Sequence, residues 1–155
     1  MLTLPRPTER PGWREPAGAG RHQMVADGAG RSVLIVEDDP VALGLAMDVL
    51  RMAGYDVWPT SGLAEARDRL ERSTPALILL DLRLGDESGL DLVTYAKAHP
   101  RTARVPILVV SADTLPEDVR RAREAGCDVV LSKPLSPRHL LASVHELTQG
   151  LAEIG

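Results

Sequence analysis

Residues 76–89, ALILLDLRLGDESG, place a carboxylate directly after a run of apolar side chains. Residues 76–80 are all apolar, which is typical of a strand buried on both faces of a sheet, and Asp81 follows them. A charge at the end of a buried strand is costly unless it has a partner. We therefore expect Asp81 to meet charged or metal-binding groups from other elements.

Polar residues follow three other apolar runs in the same way. Glu37 and Asp38 end the first run, Ser111 ends the fourth, and Lys133 follows the fifth. The carboxyl ends of parallel strands lie at one edge of an open sheet, and ligands bind there. Any one of these residues alone is explained as a loop residue or a helix cap. Together they predict a single site.

The residue types in this predicted site suit phosphoryl chemistry. Carboxylates from the first strand and Asp81 supply the hard oxygen ligands that Mg²⁺ prefers. Packed acids repel one another, so a cation is needed to keep them ionised. The Lys133 ammonium can hold a phosphoryl oxygen, and the Ser111 hydroxyl can donate to another. The set can make and retain a phosphorylated carboxylate, with Asp81 as the nucleophile.

The elements that must position these residues alternate strand and helix five times. Near-continuous apolar runs predict a parallel sheet covered on both faces, in an open, doubly wound α/β fold. The second strand contains Asp56 and Pro59 and suits an edge position. The predicted strands are residues 32–37, 55–59, 76–81, 105–111 and 127–132, and the helices are centred on residues 40–54, 63–70, 89–99, 116–126 and 136–150.

Helix ends and helix faces are also predicted from the pattern. In the first helix an apolar stripe recurs at helical spacing, and Gly54 offers a left-handed C-terminal cap. Asp39 is expected to cap that helix, Ser61 or Thr60 the second, and Ser136 the last. The stripe of the first helix consists of Val41, Leu45, Val49 and Met52.

Composition limits the class of protein. A chain of 155 residues with 44% apolar and 26% charged residues suits one globular domain. A net charge of −4 argues against a nucleic-acid binder. No apolar run reaches the roughly 18–20 residues that span a bilayer, and no secretory signal is recognisable. The single cysteine, Cys127, excludes an internal disulfide and fits a reducing compartment, so we expect a cytoplasmic protein.

Composition changes near residue 31. Residues 1–31 contain four Pro, five Gly and five Arg against three acids, without hydrophobic periodicity, and are predicted to be disordered. Met24 is an alternative start. Residues 32–150 form the predicted domain, and residues 151–155 form a short tail.

Four segments of the chain resemble the receiver domain of response regulators, the phosphoacceptor proteins of two-component systems. The segments are LIVEDDP (34–40), LILLDLRLGDESG (77–89), LVVSAD (108–113) and LSKPLS (131–136). Their order and spacing match the family over residues 32–150. The resemblance implies a flavodoxin-like, CheY-like fold with strand order 2-1-3-4-5.

The resemblance also implies roles for individual residues. Asp81 corresponds to the phosphoacceptor, and Glu37 and Asp38 to the acidic pair that binds Mg²⁺ together with Asp81. The backbone carbonyl of Arg83 corresponds to a further metal ligand. Ser111 corresponds to the switch hydroxyl and Lys133 to the lysine that pairs with the phosphoryl group. In this family Gly89 opens the third helix, and Lys133–Pro134 is a cis peptide bond.

The chain departs from the family pattern at two positions. Gly85 stands four residues after the phosphoacceptor, where the family usually has proline, so a looser loop is expected. Val130 stands where a tyrosine or phenylalanine usually moves with activation, so that aromatic readout is absent. A hypothetical ion pair between Arg83 and Asp113 would cover the site and slow hydrolysis. The alternative is that Arg83 and Asp113 are two solvated loop charges that do not pair.

The resemblance implies a receiver and not an enzyme in the ordinary sense. Because only LAEIG follows residue 150 in this sequence, a stand-alone receiver is expected. It would accept a phosphoryl group from a histidine kinase or a histidine phosphotransfer protein. It would then act through a downstream protein target or through onward phosphotransfer. Two alternatives remain: a pseudo-receiver that acts as a binding module, and a small Mg²⁺-dependent aspartyl phosphohydrolase. Such hydrolases typically need a second acid two residues after the nucleophile, and this chain has Arg83 there. His99, His139 and His145 are expected to be surface residues.

Overall fold

The computed structural model describes residue 28, residues 30–112 and residues 114–154, with side chains as far as residue 149. The described strands are β1 (Ser32–Val36), β2 (Asp56–Thr60), β3 (Leu77–Asp81), β4 (Arg83–Leu84), β5 (Glu87–Ser88), β6 (Ile107–Ser111) and β7 (Val129–Ser132). The described helices are α1 (Pro40–Met52), α2 (Leu63–Arg72), α3 (Leu90–Ala98), α4 (Pro116–Ala125) and α5 (Pro137–Ile154).

Five of these strands form one parallel sheet in the order β2-β1-β3-β6-β7. The short strands β4 and β5 form a separate antiparallel hairpin. When that hairpin is set aside, the order is the predicted 2-1-3-4-5, and the fold prediction is confirmed. The strand with Asp56 and Pro59 lies at the edge, where the missing N–H of proline costs no sheet hydrogen bond.

Alternation along the strands divides the core between the two faces of the sheet. In β1, Leu34 and Val36 belong to the cluster that packs against α2, α3 and α4. Val33 and Ile35 belong to the other cluster, with residues of α1 and α5. Because both faces are covered, every residue of β3 and β6 is buried.

Of the apolar stripe predicted for α1, only Val49 packs against the core, where it is partly buried, and the other three residues are exposed. Val41, Leu45 and Met52 are 71%, 61% and 76% exposed, whereas Leu50 is fully buried on the opposite side of the helix. The helix is apolar around most of its circumference, so hydrophobic periodicity did not distinguish the face that packs on the sheet. The exposed residues instead form a surface of their own.

Helix ends follow the predictions in part. Asp39 accepts a hydrogen bond from the Ala42 N–H at 3.0 Å, and Gly54 has a φ of 96°. Ser136 caps α5 through the His139 N–H at 3.0 Å. The N-cap of α2 is Gly62 rather than Ser61 or Thr60, so that prediction is wrong.

The two side chains predicted to cap α2 are engaged elsewhere. The Ser61 N–H donates to the Glu65 carboxylate at 2.8 Å, and the Ser61 hydroxyl contacts the same oxygen. The Thr60 hydroxyl donates to the Ile35 carbonyl at 2.7 Å. The Glu65 carboxylate of the first helical turn thus binds the residue before the N-cap, and no side chain caps α2.

The described residues begin slightly before the predicted domain boundary at residue 32. The Gly30 N–H donates to the Gly54 carbonyl, and the Asp56 N–H donates to the Arg31 carbonyl at 2.9 Å. The edge strand β2 thereby gains one more backbone partner. Residues 1–27, for which disorder was predicted, lie outside the described residues. At the other end, α5 continues to Ile154 instead of ending at residue 150.

The loop after Asp81 is more regular than expected. Arg83 pairs with Ser88 and Leu84 with Glu87 around a two-residue turn, and the Leu84 side chain is buried in the core. Gly85 has a φ of 63°, which proline cannot adopt because its ring fixes φ near −65°. Whether this loop is looser than one with proline stays a prediction. Glycine permits a hairpin at this position.

No helix in the described part of the chain is both long and apolar enough to cross a membrane.

Candidate functional site

The sheet places the predicted residues at one edge. Glu37 and Asp38 follow β1, and Asp81 ends the neighbouring strand β3. In the next strand, Val110 is in register with Asp81, so Ser111 lies one residue beyond it. Lys133 follows β7, and its N–H donates to the Ser111 carbonyl at 3.0 Å. Parallel pairing alone therefore brings four chain segments together.

Lys133 joins two of the carboxylates. Its Nζ donates to Asp81 Oδ2 at 2.8 Å and to Glu37 Oε1 at 3.0 Å. Both carboxylates are about nine-tenths buried, and the lysine side chain is 29% exposed. Charge-assisted hydrogen bonds of this length are among the stronger polar contacts in proteins. The ammonium offsets the repulsion between the two acids.

Backbone amides hold the remaining oxygens of the same two carboxylates. The Arg83 N–H donates to Asp81 Oδ1 at 3.0 Å, and the Asp39 N–H donates to Glu37 Oε2 at 3.1 Å. The exposed Asp38 carboxylate differs, because no donor among the described residues reaches it. Asp38 therefore keeps its oxygens available to a ligand.

Burial and charge act against each other in this cluster. Burial raises the pKa of Glu37, although the hydrogen bond from Lys133 works in the opposite direction. Burial alone would lower the pKa of Lys133, but its hydrogen bonds to Asp81 and Glu37 outweigh that effect and the pKa is raised. Lys133 is therefore a stable cation at neutral pH.

Glu37, Asp38 and Asp81 form a group that can hold a metal ion. One carboxylate oxygen from each lies within 4.8 Å of the others. The donors are all hard carboxylate oxygens, and one of the three carboxylates, that of Asp38, is exposed. This set fits a hard divalent cation such as Mg²⁺ better than a soft metal.

The remaining residues predicted for the site are Ser111, Arg83 and Asp113, together with the Lys133–Pro134 bond and Val130. Ser111 is 1% exposed at the end of β6, and the Lys133–Pro134 bond is cis. Arg83 is described, but Asp113 lies outside the described residues, so their ion pair stays a prediction. The role of the Arg83 carbonyl as a metal ligand also stays a prediction. Val130 packs partly buried against the core.

The three histidines and the cysteine that were not assigned to the predicted site lie in ordinary surface or core positions. His99 Nδ1 lies 2.8 Å from the Tyr95 carbonyl, and its ring packs on the Tyr95 ring at 4.3 Å. His139 and His145 lie on α5, and both are exposed. Cys127 is buried, and burial raises the pKa of its thiol.

Sequence reasoning missed two features next to the site. Gly89 packs so closely on β3 that a Cβ atom would lie 2.5 Å from the Asp81 carbonyl oxygen. An apolar groove between α1 and the segment after β7 opens beside the carboxylates. The second feature could have been found from α1, which has apolar residues on more faces than one core requires.

Replacing Lys133 with Met is expected to destabilise the protein when Mg²⁺ is absent. Two mostly buried carboxylates would lose their shared cation and repel each other. Breaking a buried ion pair costs about 3–5 kcal/mol and an exposed one up to about 1, so a loss of about 1–3 kcal/mol is expected for this partly exposed lysine. The change in the free energy of unfolding is measured by urea unfolding of both proteins in the presence of a chelator.

The loss should shrink as the medium becomes more acidic. Because the pKa of Glu37 is raised in the folded state, this carboxyl binds a proton more readily in the native than in the unfolded chain. As the pH falls to values just above the ordinary pKa of a glutamate, Glu37 takes up a proton. The repulsion between the two carboxylates of the variant is then relieved. Arg72→Gln, which breaks the exposed pair with Asp68, is the control and should change little. An equal loss in both variants would contradict the prediction.

Comparison with known proteins agrees with this geometry. The family model for the response regulator receiver domain matches residues 33–145. The polar-differentiation response regulator DivK of Brucella anthropi is 34% identical over 111 residues, which cover 71% of this chain and 90% of DivK. DivK of Brucella ovis has the same identity to this chain and the same coverage.

Solved structures give the same result. A CheY-like receiver domain protein from Methanospirillum hungatei has a TM-score of 0.75 at 27% identity, covering 81% of this chain and 98% of that one. The receiver domain of a sensor histidine kinase from Pseudomonas aeruginosa has a TM-score of 0.72 at 29% identity, covering 77% and 98%; its structure holds a magnesium ion coordinated in the active-site cleft. The chain belongs to the response regulator receiver domain family of two-component systems.

Proposed function

We propose that the chain accepts a phosphoryl group on Asp81 from the phosphohistidine of a histidine kinase or phosphotransfer protein, in a reaction that needs Mg²⁺. The observation that carries the proposal is the lysine bridge between Asp81 and Glu37 beside the accessible carboxylate of Asp38. This arrangement combines a nucleophile, a cation for the incoming phosphoryl oxygens and a set of metal ligands.

The transfer itself exchanges one bond for another. A carboxylate oxygen of Asp81 attacks the phosphorus of the phosphohistidine, a P–O bond forms, and the P–N bond breaks to release the imidazole. Lys133 remains as the cation next to the new acyl phosphate. The buried Ser111 hydroxyl, at the end of the adjacent strand, is proposed to donate to a phosphoryl oxygen.

Glu37, Asp38 and Asp81 are the proposed metal ligands, with the Arg83 carbonyl as a further one. Mg²⁺ bound there would neutralise charge on the transferring phosphoryl group. The protein holds these ligands in position, because the Asp39 and Arg83 backbone amides donate to the Glu37 and Asp81 carboxylates and orient them. Asp38 is left for the cation, since no described donor competes for it.

The proposed role is signalling, not turnover. A phosphatase that uses an aspartyl nucleophile typically needs an acid two residues further on, and this chain has Arg83 there. The acyl phosphate is therefore proposed to persist long enough to change protein contacts or to be passed to a second histidine protein.

Acetyl phosphate tests the proposal without a partner protein. The full chain is incubated with acetyl phosphate and Mg²⁺, with and without a chelator, and is followed by intact mass and by release of inorganic phosphate. One added phosphoryl group that depends on Mg²⁺ is expected. Sustained phosphate release without a stable adduct would identify a phosphohydrolase instead. Neither adduct nor release would identify a pseudo-receiver.

A further inference from the structure

Most of the large apolar side chains that are exposed among the described residues lie on α1. They are Val41, Leu45 and Met52, and the fourth, Leu115, lies elsewhere. At about 100° per residue, the three positions on α1 fall within an arc of about 60° that also contains Asp48. We call Val41, Leu45, Asp48 and Met52 the α1 stripe. Contiguous exposed apolar surface is typical of an interaction site.

A groove of about 570 Å³ runs along one side of the α1 stripe. Leu45 and Val49 form part of its wall on α1, and Leu135 and Leu140 form part of the opposite wall. An apolar side chain that enters the groove is removed from water together with these four. The groove and the stripe therefore form one surface for a segment with an apolar anchor.

The chain enters the described domain beside one end of this surface. Gly28 packs on the C-terminal end of α1 so closely that a Cβ atom there would lie 2.4 Å from the Gly54 carbonyl carbon. The Gly30 N–H donates to the Gly54 carbonyl oxygen at 3.1 Å. Met52, the last member of the stripe, is only two residues from Gly54. The 27 residues that precede Gly28 are therefore tethered next to the α1 stripe.

The length of this tether suits an intramolecular contact. Trp13 stands 15 residues before Gly28. From Gly54 back to Leu45, α1 rises about 14 Å, and a flexible chain of 15 residues has a root-mean-square length of about 20 Å. A tether that matches its span gives an effective concentration in the millimolar range, so a contact with a dissociation constant of about 1 mM is already about half formed.

The composition of residues 1–27 suits an open apolar groove. Trp13 is the only aromatic residue among them, and Pro11 and Pro16 stand on either side of it. Proline fixes φ and lacks an N–H, so a segment rich in proline loses less entropy on binding and has fewer backbone donors to satisfy. Extended segments of this kind bind apolar grooves, and tryptophan is a frequent anchor at interfaces.

The charges agree with this occupant. Asp48 is exposed within the stripe, and no cation of the described residues forms an ion pair with it. It lies about one helical turn from Leu45, toward the end of α1 where the segment is tethered. Arg14 follows Trp13 in that same direction along the segment. When Trp13 lies beside Leu45, Arg14 therefore comes near Asp48, and opposite charges are favoured there.

A second copy of the chain fits the same surface less well. Asp48 lies near the middle of the stripe, between Leu45 and Met52. Antiparallel pairing of two stripes would bring the Asp48 carboxylates of both copies close together. Like charges across an interface are unfavourable.

We propose that residues 1–27 fold back along α1, with Trp13 in the groove beside Leu45 and Arg14 opposite Asp48. The contact is intramolecular and covers the apolar surface that α1 otherwise exposes. Any other occupant of the groove has to displace this segment first, so the segment acts as a built-in competitor for the surface.

Quenching of Trp13 fluorescence by acrylamide tests the contact in the full chain. Trp58→Phe leaves Trp13 as the only tryptophan and serves as the background for all variants. Leu45→Arg opens the contact, so Trp13 should be quenched about twice as strongly as in the background protein, as expected for a contact that is about half formed. Leu115→Arg is the control, because Leu115 is similarly exposed, at 64%, but lies before α4 and outside the groove. It should leave the quenching unchanged.

A charge swap tests the position of Arg14. Asp48→Arg and Arg14→Asp should each increase the quenching, and the two changes together should restore it to the background value. Equal quenching in the background protein and in Leu45→Arg, or equal effects of Leu45→Arg and Leu115→Arg, would overturn the proposal. Failure of the swap to restore protection would overturn the pairing of Arg14 with Asp48. Protection that increases with protein concentration would assign the groove to a second copy and overturn the intramolecular contact.

Discussion

Replacing Asp81 with Asn is expected to abolish formation of the acyl phosphate. The amide is a far weaker nucleophile than the carboxylate, and no other carboxylate takes the same position between the Lys133 ammonium and the Arg83 amide. Intact mass after incubation with acetyl phosphate and Mg²⁺ measures the result. The expected loss is complete within the sensitivity of the method.

The fold of this variant should remain. Asparagine has the size of aspartate, but Asp81 accepts from two donors, Lys133 Nζ and the Arg83 N–H, and an amide has one acceptor oxygen. One hydrogen bond is therefore lost, at about 1 kcal/mol, while repulsion with Glu37 is relieved. Thermal unfolding checks that the loss of labelling does not reflect an unfolded chain.

Asp86→Asn is the matched control for that experiment. Asp86 is an exposed acid in the turn of the nearby hairpin and does not belong to the metal-binding group. This variant should be labelled like the wild type. Persistent labelling of Asp81→Asn would move the phosphoacceptor to another residue and overturn the proposed function.

Gly89→Ala is expected to destabilise the protein by about 1–3 kcal/mol, the usual cost of forcing an extra carbon into a packed site. An added Cβ would lie 2.5 Å from the Asp81 carbonyl oxygen, 3.1 Å from Leu82 Cα and 3.2 Å from Leu80 Cδ1. The first two are backbone atoms, which cannot rotate away. The helix start or the end of β3 must shift, and Asp81 shifts with it. Labelling by acetyl phosphate should therefore slow as stability falls.

Gly44→Ala is expected to stabilise the protein, in contrast to Gly89→Ala. Gly44 lies inside α1, and a Cβ there meets no atom within 4 Å. Alanine is favoured over glycine in a helix interior, so a gain of about 0.5–1 kcal/mol is expected. Urea unfolding of the two variants compares them directly. A Gly89→Ala protein as stable as the wild type would mean that α3 does not approach β3 this closely.

The strand ends were predictable from the sequence because the signals there are local. An apolar run followed by an acid at Asp81, and by a lysine at Lys133, places both residues at the same edge of any parallel sheet. The edge position of β2 followed in the same way from Asp56 and Pro59. Caps were predictable where a side chain bonds to its own helix, as Asp39 does.

The face of α1 that packs on the sheet was not predictable in this way. Val41, Leu45 and Met52 have the spacing of a core stripe, but the core is formed by the opposite side of the helix, at Leu50. Periodicity gives the spacing of apolar residues and not the direction they face when several faces are apolar. Only packing against β1 and α5 selects one of them.

The sequence by itself determined the order of strands and helices and the chemical types that gather at one edge of the sheet. It did so because pattern and spacing along the chain fix where strands end. The tertiary structure decided which atoms meet: Lys133 with Asp81 and Glu37, and Gly89 with the Asp81 carbonyl. It also decided that Val41, Leu45 and Met52 of α1 face solvent. These contacts join residues far apart in sequence, and their distances depend on how the layers pack.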